Sequence, residues 1–266
     1  MHWLVDFALR SFTSMPKATS LWRRFPVGSV ALRTRYGAWS RPQYAFGTFH
    51  AARQAKLLGL HGISVVEFGV AGGDGLVALE SLSKEIAAFF GINIDVFGFD
   101  TGEGMPMPTD YRDLPHVWSK GFYRMDKERL RKRLNVNTRL FIGDVGETVH
   151  KLVEARCPLG FVAFDMDYYS STKEALRAFD LPQFTRLPRI YCYFDDILYP
   201  ELACHNHWIG ELCAIREFND EHSDKKLGAL NLLRWLRPRP EPWNDQIYVL
   251  HDFHHPLYSV HIMREE

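Results

Sequence analysis

Acids at the ends of five short apolar runs carry the chemistry of this 266-residue chain. Glu67 closes Ser64–Phe68, Asp100 follows Asp95–Phe99, and Gly143-Asp144 follows Arg139–Ile142. Asp165 follows Phe161–Phe164, and Asp195-Asp196 follow Arg189–Phe194. One acid after a strand is an ordinary helix cap. Five at one edge make a site. Asp165, Asp195 and Asp196 together would offer hard oxygen ligands to Mg²⁺, with waters or substrate completing six positions. Without a cation, close carboxylates repel one another and one tends to keep its proton.

The first run continues as Val65-Val66-Glu67-Phe68-Gly69-Val70-Ala71-Gly72-Gly73-Asp74-Gly75, and a helical pattern follows over Leu76–Phe90. Glycines there allow close backbone approach to a ligand and a sharp turn into the helix. The acid discriminates further: a carboxylate at Glu67 would repel a pyrophosphate. It suits a ligand with hydroxyls and positive charge, such as S-adenosylmethionine. Asp100 is placed to accept hydrogen bonds from ribose hydroxyls, a role it would play for either that cofactor or NAD.

The elements that must position these acids alternate. Besides the five strands, helical spacing is expected over Tyr44–Leu60, Lys127–Leu134, Thr148–Arg156, Ser171–Phe179 and Glu211–Phe218, with a late strand at Gln246–Leu250. Ser171 with Glu174 fits a capping box. Such βαβ alternation implies an α/β protein with a mainly parallel sheet and helices on both faces, its ligands beyond the carboxyl ends of the strands. Residues 1–60 are set apart as an N-terminal extension, a lid or an oligomer arm, rich in Arg and aromatic residues before position 42. Residues 61–266 form the main domain.

Bulk properties narrow the partners. Lys+Arg and Asp+Glu are 32 each, so no global field favours nucleic acid or an anionic membrane. Four cysteines without a C-x-x-C pair read as reduced thiols, and Met1–Phe7 does not read as a secretory signal; both fit a cytoplasmic protein. No apolar run approaches a membrane span. The spacing of Cys204, His205, His207 and Cys213 matches no zinc pattern. His207, in the loop after the fifth strand, is a candidate general base, and Tyr168 a candidate for the acceptor pocket.

Glu67-x-Gly69-x-Ala71-x-Gly73 resembles motif I of class I S-adenosylmethionine-dependent methyltransferases, with Ala71 at a position that is often Gly. Phe97-Gly98-Phe99-Asp100-Thr101-Gly102-Glu103-Gly104-Met105-Pro106 resembles a segment of the macrocin O-methyltransferase-like family. So do Gly143-Asp144-Val145-x-Glu147-Thr148, Asp165-x-Asp167-Tyr168-Tyr169-x-Ser171-Thr172, and Phe194-Asp195-Asp196. Tyr168 stands where that family usually has Leu, and Ile197 where it has Tyr. The motifs fall in order over about residues 65–220. The resemblance implies a Rossmann-like seven-stranded sheet and metal-assisted O-methylation of a hydroxylated small molecule. It also implies cofactor contacts from Glu67, Gly69, Ala71 and Gly73, and adenine contacts around Asp144 and Val145. Asp165 would be metal ligand and base, with Asp195 and Asp196 as further ligands. Two other readings remain: a non-catalytic binding protein on this fold, and an NAD(P)-dependent oxidoreductase suggested by G-x-G-x-x-A at Gly73–Ala78, displaced from its strand.

Overall fold

Period-two alternation of large apolar residues organises the sheet. The computed structural model describes residues 11, 13 and 17–263; the Met1–Phe7 stretch lies outside them. Seven strands run as β1 (Gly62–Phe68), β2 (Asn93–Asp100), β3 (Arg139–Ile142), β4 (Leu159–Phe164), β5 (Arg186–Phe194), β6 (Lys225–Ala229) and β7 (Ile247–Asp252). Their spatial order is β3-β2-β1-β4-β5-β7-β6. The first five are mutually parallel, and β7 enters antiparallel between β5 and β6. Chain order reverses at β1, between β2 and β4, which is where ligands of such sheets bind.

Register aligns five phenylalanines across five neighbouring strands. Phe141, Phe99, Phe68, Phe164 and Phe194 pair in sequence, with ring centroids 4.9, 5.0, 5.6 and 4.6 Å apart along the row. The residue after the ring in β2, β1, β4 and β5 is Asp100, Gly69, Asp165 or Asp195, so one register brings these acids to one edge. Positions one residue earlier point to the opposite face. There Glu67, Ala163 and Tyr193 lie side by side.

That second face is covered by the helices Pro42–Leu57 and Asp74–Phe90. Pro42 sits in the first turn of its helix, where a missing N–H costs nothing. Tyr44, Ala45, Ala51, Ala52 and Ala55 of this helix are fully enclosed, because small residues let it lie close to the strands. The other face carries the helices Tyr169–Leu176 and Gly210–Glu221 over the phenylalanine layer. Further N-terminal, Arg23 forms a two-point ion pair with Glu241 and Arg237 donates to the Thr34 carbonyl. The first helices are thereby tied to the proline-rich tail.

Two local expectations are revised. Thr148–Arg156 is a single turn at Val145–Thr148 continuing as a 3₁₀ segment, Val149–Glu154. Ser171 is not a helix cap: the helix starts at Tyr169, and Asp113, from a distant loop, accepts hydrogen bonds from the Ser170 N–H and hydroxyl at 2.8 and 2.9 Å. Glu174 instead pairs with Arg177. β6 carries no sequence signal strong enough to be foreseen; it is short, at the sheet edge and half exposed. Among the described residues no helix is long and apolar enough to cross a membrane.

Candidate active site

A cleft of about 310 Å³ opens beyond the carboxyl ends of β1, β2, β4 and β5. Its walls hold Gly69 and Ala71 after β1, Asp100 after β2, and Gly143, Asp144 and Val145 after β3. Asp165 and Asp167 follow β4, and Asp195 and Asp196 follow β5. Met105, Pro106 and Tyr123 close it from the long segment between β2 and the next helix.

The loop after β1 is shaped by close contacts. Gly69 has φ +84°, and a Cβ there would fall 1.7 Å from the Asp165 carbonyl oxygen, so only glycine lets β1 and β4 turn past one another. Ala71 also takes a left-handed conformation, φ 46°. It is held by Asp100, whose Oδ2 accepts from the N–H groups of Val70 and Ala71 at 2.9 and 2.8 Å. Asp100 Oδ1 accepts from the Gly102 N–H at 2.6 Å. Each carboxylate oxygen accepts two hydrogen bonds comfortably, so Oδ1 keeps capacity for a ligand hydroxyl. Asp100 both builds the loop and faces the cleft. Asp144 accepts from the Gly146 N–H at 2.8 Å and opens the turn that begins with buried Val145.

Glu67 and Gly73 are not in the cleft wall. Glu67 is 1% exposed and points to the helix-covered face, where Oε1 accepts from the Tyr44 hydroxyl at 2.6 Å and Oε2 has no partner. A Cβ on Gly75 would lie 1.8 Å from Oε1, so the helix N-terminus closes directly over the carboxylate. Burial is the main cause that pushes Glu67 up to about 8, partly offset by Tyr44 and Arg41. Gly73 starts that helix at φ +85° and faces Leu130, to which a Cβ would be 2.1 Å away. The glycines of the G-x-G-x-x-A match therefore serve packing.

Three carboxylates converge. Asp165, Asp195 and Asp196 each offer an oxygen, all within 4.8 Å of one another. Among the described residues no Lys or Arg is ion-paired with any of them. Asp165 is pushed well above the usual carboxylate range, first by burial and then by Asp195 and Glu67. Asp196 moves the same way through burial, Asp167 and Glu211. Such a set is poorly balanced by itself and fits a hard divalent cation. Asp195 is fixed from behind, its Oδ1 accepting from the Tyr193 hydroxyl and its carbonyl accepting from Gln246 Nε2 at 2.6 Å.

Asp167 belongs to a quoted motif without an assigned role, and Glu211, Arg41 and Tyr123 carry no motif signal at all. Asp167, at φ 60°, donates its N–H to Asp196 Oδ2 at 2.9 Å and is raised to about 6, mainly by burial. Glu211, fully buried in the first turn of its helix, accepts from the Asp196 N–H at 3.1 Å. Arg41 lies at the head of the helix Pro42–Leu57, and its guanidinium is held more strongly protonated by the charges of Tyr44, Glu67, Asp165 and Asp195 despite burial. Tyr123 stands across the cleft from the acids; burial, and then Asp167 and Asp196, raise its phenol.

Tyr168 is fully enclosed, its hydroxyl donating to the Pro106 carbonyl at 3.3 Å, and burial raises it to about 12. It anchors the cleft's roof from behind and is not in the wall. His207 lies exposed in the loop between β5 and the helix Gly210–Glu221, also outside the wall.

Among solved structures the chain is similar to CalS11, a calicheamicin methyltransferase, with a TM-score of 0.52 and 20% sequence identity, covering 93% of this chain and 90% of that one. It is also similar to the O-methyltransferase NovP, with a TM-score of 0.51 and 14% identity, covering 83% of this chain and 87% of that one. No family model and no curated protein matches the sequence. The likeness is one of fold: a Rossmann-like, mostly parallel seven-stranded sheet with helices on both sides.

Proposed function

We propose that the chain is an S-adenosylmethionine-dependent methyltransferase that methylates a hydroxyl of a small molecule with the help of a divalent cation. The observation that carries this reading is the Asp165/Asp195/Asp196 cluster lining the same cleft as Gly69, Ala71 and Asp100. One edge of the sheet then holds a nucleoside-type site and a metal-type site side by side. The solved structures of similar fold are methyltransferases by name, which supports the reading.

In this scheme Asp100 accepts a ribose hydroxyl on Oδ1, and Asp144 and Val145 border the adenine. Gly69 and Ala71 let the backbone approach the methionine portion. Arg41, whose guanidinium interacts electrostatically with Asp165 and Asp195, is our candidate for meeting the cofactor's carboxylate. Asp165, Asp195 and Asp196 would hold Mg²⁺. When bound, that ion supplies positive charge that lowers the pKa of the acceptor hydroxyl. Asp165 takes the hydroxyl proton. The acceptor oxygen forms the new bond to the methyl carbon as the carbon–sulfur bond breaks, and the sulfonium leaves as a neutral thioether. The chain's own contribution is alignment of the two reactants and stabilisation of the ionised acceptor. Tyr168 and His207, outside the wall, take no step in this scheme.

Calorimetric titration of S-adenosylmethionine, with Mg²⁺ and again with EDTA, tests the reading. Saturable binding with a larger affinity or heat when Mg²⁺ is present is expected for the wild type, and no Mg²⁺ effect for Asp195→Asn. Folded protein that binds no cofactor under either condition would overturn it.

A further inference from the structure

The backbone of Asp195 is pinned on both sides. Its N–H donates to the Phe164 carbonyl of β4 at 3.0 Å, and its carbonyl accepts from Gln246 Nε2, just before β7, at 2.6 Å. The freedom that remains is rotation of the carboxylate, and one side chain restrains it. Tyr193, two positions earlier, points to the same side of the sheet and donates its hydroxyl to Asp195 Oδ1. An ionised carboxylate has no proton to give, so the direction of this bond is set. Tyr193 is itself held in place: it is 2% exposed and meets Tyr44 edge-on, with centroids 5.8 Å apart. Tyr44 is anchored in turn by Glu67. Tyr193 takes no part in the cleft wall.

Asp196 is restrained in a similar way. Its N–H donates to Glu211 Oε2 at 3.1 Å, and its Oδ2 accepts from the Asp167 N–H at 2.9 Å. Two of the three clustered carboxylates thus have one oxygen already bonded to the protein, each in a fixed direction. That restraint bears on which ion the cluster suits. Mg²⁺ is small, demands near-octahedral geometry and keeps several of its waters. Ca²⁺ is larger, tolerates irregular geometry and often takes both oxygens of one carboxylate. A carboxylate that cannot turn, with one oxygen engaged elsewhere, offers a cation a single oxygen. It serves the first ion and handicaps the second.

We propose that Tyr193 is a positioning residue that sets the ion preference of the Asp165/Asp195/Asp196 cluster. By holding Asp195 Oδ1 it keeps this ligand to one oxygen, and the cluster favours Mg²⁺ or Mn²⁺ over Ca²⁺. The inference rests on the metal reading of the cluster given above. Partners that orient a ligand from behind govern metal affinity nearly as strongly as the ligands themselves. Loss of the Tyr193 hydroxyl frees the carboxylate to turn and present both oxygens. Affinity for the small ion then falls, and the large ion loses its handicap.

Competition titrations test it: Mg²⁺ or Ca²⁺ displaces Mn²⁺ from the full chain, and the EPR signal of free Mn²⁺ is the readout. Wild type should bind Mg²⁺ more tightly than Ca²⁺. Tyr193→Phe keeps the ring and should lose Mg²⁺ affinity by about tenfold or more. Its Ca²⁺ affinity should change less, so the ratio moves toward Ca²⁺. Tyr191→Phe removes a hydroxyl from the same face of β5 and should leave both constants unchanged. Melting in EDTA reports any loss of stability separately, and such a loss alone would not move the ratio. An unchanged ratio in folded Tyr193→Phe would overturn the proposal, and so would an equal shift in Tyr191→Phe. A wild type that binds Ca²⁺ as tightly as Mg²⁺ would overturn it without any variant. Those three results leave the metal reading standing. A wild type that binds none of the three ions would remove that reading, and this inference with it.

Discussion

The hydroxyl of Tyr44 donates to Glu67 Oε1 at 2.6 Å inside the protein, with neither side chain in contact with the cleft. It is the hydrogen bond that joins the helix Pro42–Leu57 to the end of β1. Glu67 Oε2 already lacks a partner. Tyr44→Phe should therefore destabilise the fold by about 1–3 kcal/mol, the cost of an unmet buried acceptor. Urea denaturation at pH 7 checks this, and in a Glu67→Gln background the loss should shrink, since the two changes touch the same bond.

The same carboxyl gives stability a pH dependence. Folded Glu67 holds its proton up to about 8, against an ordinary value of 4.5. Between those values the unfolded chain has released the proton while the folded chain keeps it, so stability falls as pH rises through this window and levels off above it. Asp165, Asp196 and Glu211 are displaced in the same direction. Thermal melts in EDTA should show Tm dropping between about pH 5 and 8. Glu67→Gln should flatten the slope without abolishing it.

Divalent cation should reverse much of that loss. Binding only to the folded state stabilises it by about 2.7 kcal/mol at a hundredfold excess over Kd. The rise in Tm on adding Mg²⁺ should grow from pH 6 to pH 8, because ionised carboxylates are the ligands. Asp165→Asn or Asp195→Asn should remove the cation response, and no response in the wild type would sink the metal assignment.

Asp100 has two tasks, and its replacement should show both. Asp100→Ala leaves the N–H groups of Val70, Ala71 and Gly102 without their acceptor. Stability should fall by roughly 2 kcal/mol, and cofactor affinity should fall by at least about tenfold as the loop loosens and the ribose contact is lost. Asp100→Asn, which can keep part of the loop, should lose less stability than affinity.

Asp113 is fully buried and accepts from Thr109 and Ser170, clamping the cleft's roof to the helix Tyr169–Leu176. Asp113→Ala should raise amide exchange across residues 105–123 and increase KM more than it lowers kcat. Unchanged exchange in that segment would show that the roof holds without the clamp.

How far the sequence reveals this arrangement depends on distance along the chain. The five parallel strands were legible because apolar runs ending in an acid recur with helical spacers between them. Asp165, Asp195 and Asp196 could be grouped because equivalent strand ends meet at one edge. Register, face and long-range partners were not legible. Glu67 reads as a ligand-facing acid, yet it lies on the face opposite the phenylalanine row and meets Tyr44, 23 positions earlier. Ser171 looks like a local cap, but Asp113 satisfies the preceding residue, Ser170, from 57 positions away. Glu211 looks like one more acid in a helix, and only the fold buries it against Asp196. β6 escaped because a short half-exposed edge strand has no strong alternation, and the antiparallel entry of β7 because pairing direction is set by partners distant in the chain.

The row Phe141–Phe99–Phe68–Phe164–Phe194 has a consequence for how the sheet rejects errors. A strand that slipped by one residue would exchange its faces, driving Asp100, Asp165 or Asp195 into the aromatic layer and expelling a phenylalanine. The ring and the acid beside it thus penalise the same mistake twice, once through lost stacking and once through a charge stranded among rings. Misaligned intermediates should be too unstable to accumulate. The cleft therefore assembles with its acids aligned or does not assemble.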